Sequence, residues 1–245
     1  MLPGAVVISG CSGGIGQALV SEFQAQGWVI VGVDRRQADP ALEYFFESDL
    51  RNISDRSISE SLRKFFADVN LELSINALIN CAATQTIGNF ETLESQSLQE
   101  SFSVNVVAAF ELSRILSPVL EQQGGSIVNI GSIHAELTKK GFLPYSVSKA
   151  ALRGLTRALA LELGGRVRVN SIEPAAVETE MLKSGFVGSP EKYAKLVEYH
   201  PSQKIGKPDE IAQFVRYLIE DAPSFLHGST IQLDGGISKV LHDPA

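Results

Sequence analysis

Tyr145 and Lys149 stand four positions apart in the segment YSVSK (145–149), at the head of a stretch, ALRGLTRALALELGG, that reads as helix. Residues at this spacing share one helical face, so both side chains can reach a single site. A free phenol titrates near 10, which leaves only about one molecule in a thousand as phenolate at neutral pH. A nearby ammonium stabilises the anion and lowers that value, which would make Tyr145 a general acid and base. The competing reading is a surface tyrosine packed beside a solvated lysine.

A second constellation follows the first apolar run. In SGCSGGIG, Gly10, Gly14 and Gly16 are spaced GxxxGxG and lead directly into QALVSEF. A dinucleotide needs a backbone that turns tightly and lets its pyrophosphate approach the free N–H groups of a helix N-terminus, where the dipole favours anions. The bland alternative is a strand-to-helix turn with no ligand. Asp34 ends the second apolar run 18 residues after Gly16, close to the offset at which a carboxylate accepts from the adenosine ribose hydroxyls. Against a 2′-phosphate at ~4 Å it would cost roughly 1 to 4 kcal/mol per unit charge, which makes NAD the expected cofactor. Arg35 and Arg36 follow immediately and keep NADP possible.

These residues need a frame. Short β-branched runs at 5–9, 28–33, 44–48, 76–80, 125–131, 166–172 and 229–234 alternate with helix-like stretches at 14–26, 54–69, 97–122 and 144–164. Continuously apolar strands alternating with helices predict an α/β protein: a Rossmann-type, doubly wound parallel sheet of about seven strands with helices on both faces. No repeat or linker interrupts the pattern, so residues 1–245 read as one domain. Segment 177–207 is long for a connection and reads as a substrate loop or lid. Met181, Leu182, Phe186, Val187 and Tyr193 give it an apolar side; Lys183, Lys192 and Lys195 give it a basic one.

Taken together and in order, Ser9-Gly10, Gly14 and Gly16, Asn80-Cys81-Ala82-Ala83, Asn105, Ser132, Tyr145-xxx-Lys149, Pro174 to Thr179 and Leu233-Asp234-Gly235-Gly236 resemble the short-chain dehydrogenase/reductase family nearly end to end. The resemblance implies that Tyr145 exchanges a proton with the reacting oxygen, Lys149 lowers the tyrosine's pKa and holds the nicotinamide ribose, Ser132 hydrogen-bonds the reacting oxygen, and Asn105 places a water in a proton relay. It also implies a cofactor held by Ser9, Gly10, Ser12, Gly14, Ile15 and Gly16, by Asp34, by Asp49 and Leu50 at the adenine, by Asn80 and Ala82, by Tyr145 and Lys149, and by Pro174, Val177 and Thr179, the last at the carboxamide. A homotetramer is implied as well. The bland rivals are a capping role for Ser132, backbone satisfaction by Asn105 and an N-cap at Asp49. Four positions depart from the family pattern: Ser9 for threonine, Cys81 for asparagine, and Ala83 and Ala175 for glycine. A Cβ at either alanine would crowd the cofactor if the backbone there required positive φ.

The remaining composition narrows partners. With 245 residues, 44% hydrophobic and 20% charged, the chain has ample material for a core. A formal charge of −7 argues against a nucleic acid or an anionic membrane as the main partner. Cys11 and Cys81 are too few for a disulfide framework and read as thiols of a cytoplasmic protein. The opening MLPGAVVISGCSGGIG has no basic leader, and its apolar run stops far short of the roughly 20 residues of a membrane span. His200, His227 and His242 lack metal-ligand spacing, so no metal is expected; His134 reads either as a pocket residue or as a solvated one. The sequence thus points to hydride transfer between NAD(H) and a small secondary alcohol or its ketone. A catalytically silent dinucleotide-binding regulator on the same fold is the alternative.

Overall fold

The structure is a computed structural model and describes residues 4–37, 39 and 42–241; His242 lies outside the described residues. Seven parallel strands form one sheet: β1 (Gly4–Ser9), β2 (Val29–Asp34), β3 (Tyr44–Glu47), β4 (Ser74–Asn80), β5 (Ser126–Ile130), β6 (Arg168–Pro174) and β7 (Thr230–Leu233). Their order is β3-β2-β1-β4-β5-β6-β7. The strands lie within one or two residues of the predicted runs at nearly every boundary. Because β1 sits between β2 and β4, connections leave it in opposite directions and a crevice opens beyond the C-terminal ends of β1 and β4.

Helices α1 (Gly14–Ala25), α2 (Arg56–Glu72), α3 (Ser95–Phe102), α4 (Ala108–Gln123), α5 (Leu143–Leu163), α6 (Glu180–Ser184), α7 (Pro190–Glu198) and α8 (Pro208–Glu220) cover and flank the sheet. Strand alternation divides the core in two. Ala5 and Val7 face one layer, with Leu62 and Phe66 of α2 and Leu112 and Leu116 of α4. Val6 and Ile8 face the other, with Leu19 and Phe23 of α1 and Ile211 and Val215 of α8. The segment Ser95–Gln123 is long and apolar enough by composition to cross a membrane. Its apolar side, including Leu112, Ile115, Leu116 and Leu120, is buried in the first core layer instead. Leu112 is fully buried, and replacing it with alanine will cost about 2–5 kcal/mol. Urea unfolding will read this as a lower midpoint at an unchanged slope.

Helix α8 lies beyond the four helix-like stretches of the sequence, directly after the turn-rich segment 177–207. Pro208 fits its first turn, where the lost N–H is not missed. The Glu210 carboxylate accepts the Lys207 backbone N–H at 2.8 Å, and Ile211, Ala212, Val215 and Leu218 form its buried stripe. Segment 177–207 contains α6 and α7, and Val177 bridges to Gly206 across its base.

Candidate active site

The glycine-rich turn joins β1 to α1 at the crevice. Gly10 has φ +70°, and a Cβ there would lie 2.6 Å from the Cα of Ala82. Only glycine permits both the turn and this approach of the β1 and β4 loops. A Cβ on Gly14 would meet the Thr179 side chain at 2.8 Å, so the chain after β6 closes over the start of α1. The first turn of α1 has no side-chain cap and no acidic residue, with Gly13 extended at the N-cap position. Its amides are therefore available to an anion. These features fit the pyrophosphate of a dinucleotide.

Asp34, the last residue of β2, stands beside this turn. Its Oδ2 accepts the Ser12 N–H at 3.0 Å and its Oδ1 accepts the Arg35 N–H at 2.7 Å. Ser12 Oγ donates to the Arg36 carbonyl at 2.6 Å, fixing the turn against the β2 end. Asp49 caps the 3₁₀ turn Leu50–Asn52 and is paired with Arg51, whose guanidinium holds the carboxyl below its ordinary range. Leu50 points into the core, so it can offer a ligand only its backbone. Ser9 is buried; its Oγ accepts the amides of Cys81 and Ala82 at 3.2 and 3.3 Å. The hydroxyl thus braces the β4 loop.

The Asn80 side chain turns away from the crevice. Its amide donates to Asn129 Oδ1 at 2.8 Å, and Asn129 donates to Thr156 Oγ1 at 2.9 Å, a buried polar ladder from β4 to α5. Like Ser9, this predicted site residue uses its side chain as a strut within the protein. Asn105 lies in a π-helical turn, Ser103–Val107, between α3 and α4. It accepts the Thr84 N–H at 2.8 Å and donates to the Thr84 carbonyl at 3.0 Å and to Ser148 Oγ at 2.9 Å. Its side chain holds the β4 loop against α5, as the backbone-satisfying alternative expected.

The proton-transfer candidates converge at the C-terminal end of β5. Ser132 begins the 3₁₀ turn Ile133–Ala135, and its Oγ accepts the His134 N–H at 3.2 Å while the hydroxyl also engages Tyr145. Lys149 is buried on α5; its Nζ donates to the Ile130 carbonyl at 2.8 Å and sits 5.7 Å from the Tyr145 ring centroid. One expectation is corrected here. Burial around the hydroxyl raises the Tyr145 pKa, the Ser132 bond opposes this, and Lys149 does not reverse it. Lys149 is itself depressed to about 8 by burial. The phenol therefore keeps its proton at neutral pH.

His134 completes the wall. Its ring stacks on Phe142 at 4.7 Å and meets Tyr145 edge-on at 5.7 Å. Burial, with Lys139 nearby, pushes its pKa down to about 4, so the imidazole is neutral across the physiological range. Ala83 and Ala175 do not carry the feared strain. Among the described non-glycine residues only Gln203 has positive φ, so an alanine at either position is in ordinary backbone.

The family profile described as enoyl-(acyl carrier protein) reductase matches residues 10–238. The chain belongs to the short-chain dehydrogenase/reductase family. Within that family it is 29% identical over 241 residues to 2,3-dihydro-2,3-dihydroxybenzoate dehydrogenase of Escherichia coli (strain K12), covering 94% of this chain and 95% of the relative. It is 30% identical over 241 residues to carbonyl reductase [NADPH] 2 of Sus scrofa, covering 94% of each. Among solved structures, the ligand-free aldohexose dehydrogenase of Thermoplasma acidophilum superposes with a TM-score of 0.91 at 28% identity, covering 100% of this chain and 97% of that one.

Membership in the short-chain family leaves one feature of this site outside the shared motifs. Arg153 lies one turn beyond Lys149, and Glu173 is buried at the penultimate position of β6. Sequence reading missed the pair, since twenty positions separate its members. The available signal was a charged residue, Glu173, set between the strand-like run 166–172 and Pro174.

Proposed function

We propose that this short-chain family member transfers a hydride between NAD(H) and a small secondary alcohol or its ketone, with Tyr145 as general acid and base. The single observation carrying this reading is the meeting of Ser132, Tyr145 and Lys149 at one end of the sheet, beside an uncapped helix N-terminus and Asp34. The bound nicotinamide supplies the hydride. The protein supplies orientation and a proton held on the Tyr145 hydroxyl, ready for a carbonyl oxygen. Ser132 fixes that oxygen and the Lys149 ammonium faces the charge that develops when the proton leaves. Segment 177–207 serves as the substrate-side lid, with Met181 and Val187 among its exposed apolar residues. Ala83 and Ala175, where the family pattern has glycine, lie in ordinary backbone, so neither departure counts against a bound dinucleotide.

The test is a screen of purified protein with NAD and with NADP against hydroxy-acyl, sugar, polyol and steroid compounds, followed at the nicotinamide absorbance band. Turnover with at least one class is expected. Calorimetric dinucleotide binding with no turnover across the panel would favour the regulator reading. Within an active pair, His134→Ala removes a stacked ring worth about 0.5–1.5 kcal/mol and will lower kcat/KM by roughly two- to tenfold. A neutral imidazole adds no ionisation, so the pH profile between about 5 and 8 will keep its shape. Loss of a titration step there would contradict the assigned neutral state.

A further inference from the structure

Glu173 has no exposed surface, and a carboxylate so placed is unfavourable unless it is paired and hydrogen-bonded. Both its oxygens accept from Arg153, Nε to Oε1 at 2.7 Å and Nη2 to Oε2 at 2.5 Å, a bidentate arrangement. The remaining nitrogen, Nη1, reaches the Glu136 carboxylate at 3.1 Å, in the turn that follows Ser132. One guanidinium therefore joins α5, β6 and the Ser132 turn. A Cβ added to Gly131 would lie 2.8 Å from Glu173 Cγ, so the acidic side chain runs directly beneath the residue preceding Ser132. Tyr145, Lys149 and Arg153 succeed one another at four-residue intervals along α5.

We propose that the Arg153–Glu173 pair is a positioning device that fastens the Ser132 turn to α5 and sets the charged surroundings of Lys149, with Glu173 as the member that favours the ammonium. The Lys149 ammonium contacts the Ile130 carbonyl from β5 and lies beside Tyr145 of its own helix, and it feels the electrostatic influence of Cys81 from the loop after β4 and of Glu173 from β6. Burial raises the Cys81 thiol to about 12 and Tyr145 upward as well, so both are neutral. Glu173 is the carboxylate of the set, and it offsets part of the burial that depresses Lys149. Arg153 carries the same charge as Lys149 one turn further along α5, so its removal should favour the ammonium while removal of Glu173 should disfavour it, a pair of opposite effects that an inert structural staple would not produce.

The proposal rests on the place of Lys149 beside Tyr145 and needs no substrate to be tested. In protein labelled with [13Cε]lysine, the Lys149 resonance is assigned by its loss in Lys149→Met and followed against pH. The wild-type midpoint is expected at about 8. Glu173→Gln will move it down by about one unit, and Arg153→Met, which leaves Glu173 beside the ammonium, will move it up by a similar amount. Glu136→Gln, removing an exposed partner, will leave it in place. If Glu173→Gln does not fold, the double variant Arg153→Met/Glu173→Gln removes both charges, and its midpoint must fall below that of Arg153→Met. Equal midpoints in all variants, or shifts of the same sign in the two single variants, overturn the proposal. If the opposite shifts appear while no compound in the substrate screen is turned over, the pair stands and the assigned reaction fails.

Discussion

Tyr145→Phe will lower kcat by about a hundredfold to ten-thousandfold, the usual contribution of a positioned proton donor, at nearly unchanged dinucleotide affinity. The substitution keeps the ring and removes one oxygen. The edge contacts to His134 at 5.7 Å and Phe142 at 6.5 Å do not depend on that oxygen, so the pocket wall is preserved. What disappears is the hydroxyl that engages Ser132 and holds the transferable proton. Steady-state kcat and a calorimetric Kd for the dinucleotide separate the two effects. Turnover within about threefold of wild type would falsify the assignment, because that difference is under 1 kcal/mol and below any acid–base role. The wild-type pH profile for carbonyl reduction follows from the same groups. Tyr145 stays protonated because burial raises its pKa, so reduction runs on a plateau at neutral pH. It declines as Lys149 loses its charge above about 8.

The strands were legible because period-two and continuously apolar patterns encode burial directly. Ala5, Val6, Val7 and Ile8 are apolar on both faces because helices cover both faces. Helix α8 carried the same kind of information in Ile211, Ala212, Val215 and Leu218, with Pro208 at its start. It was obscured by the turn-rich segment before it. The π-helical turn at Ser103–Val107 had no such signal. It follows from contacts of Asn105 with Thr84 and Ser148, which are 21 and 43 positions away.

At the site, residue type told which chemistry was present but not where each polar atom points. Ser9, Asn80 and Asn105 all carry groups suited to a ligand, yet each is used by the protein's own backbone or by a neighbouring side chain. Buried polar groups need partners, and the partner nearest in space wins irrespective of sequence distance. The same rule hid Arg153 and Glu173. Conversely, the expected effect of Lys149 on Tyr145 was a local, one-turn argument that omitted burial, and burial fixes the direction of both shifts.

Asp34 carries the second large expected effect. Its carboxylate is held at the end of β2 by the Ser12 and Arg35 amides at 3.0 and 2.7 Å, at the edge of the turn that fits the pyrophosphate. A 2′-phosphate at ~4 Å from this charge is disfavoured by roughly 1 to 4 kcal/mol, so wild-type protein will bind NAD at least about fivefold more tightly than NADP. Asp34→Ala removes the charge but also two amide acceptors, and it will weaken NAD binding while strengthening NADP binding. Asp34→Asn retains one acceptor oxygen and isolates the charge. Arg35 and Arg36 are exposed and directly follow Asp34 in the chain, and each is a ready partner for the added phosphate. Adding Arg36→Ala to Asp34→Asn will therefore take back part of the NADP gain without changing NAD affinity. Calorimetric Kd values for both cofactors in the four proteins give the result. Equal wild-type affinities, or a cofactor ratio that Asp34→Asn leaves unmoved, would show that the charge at the end of β2 does not select the cofactor.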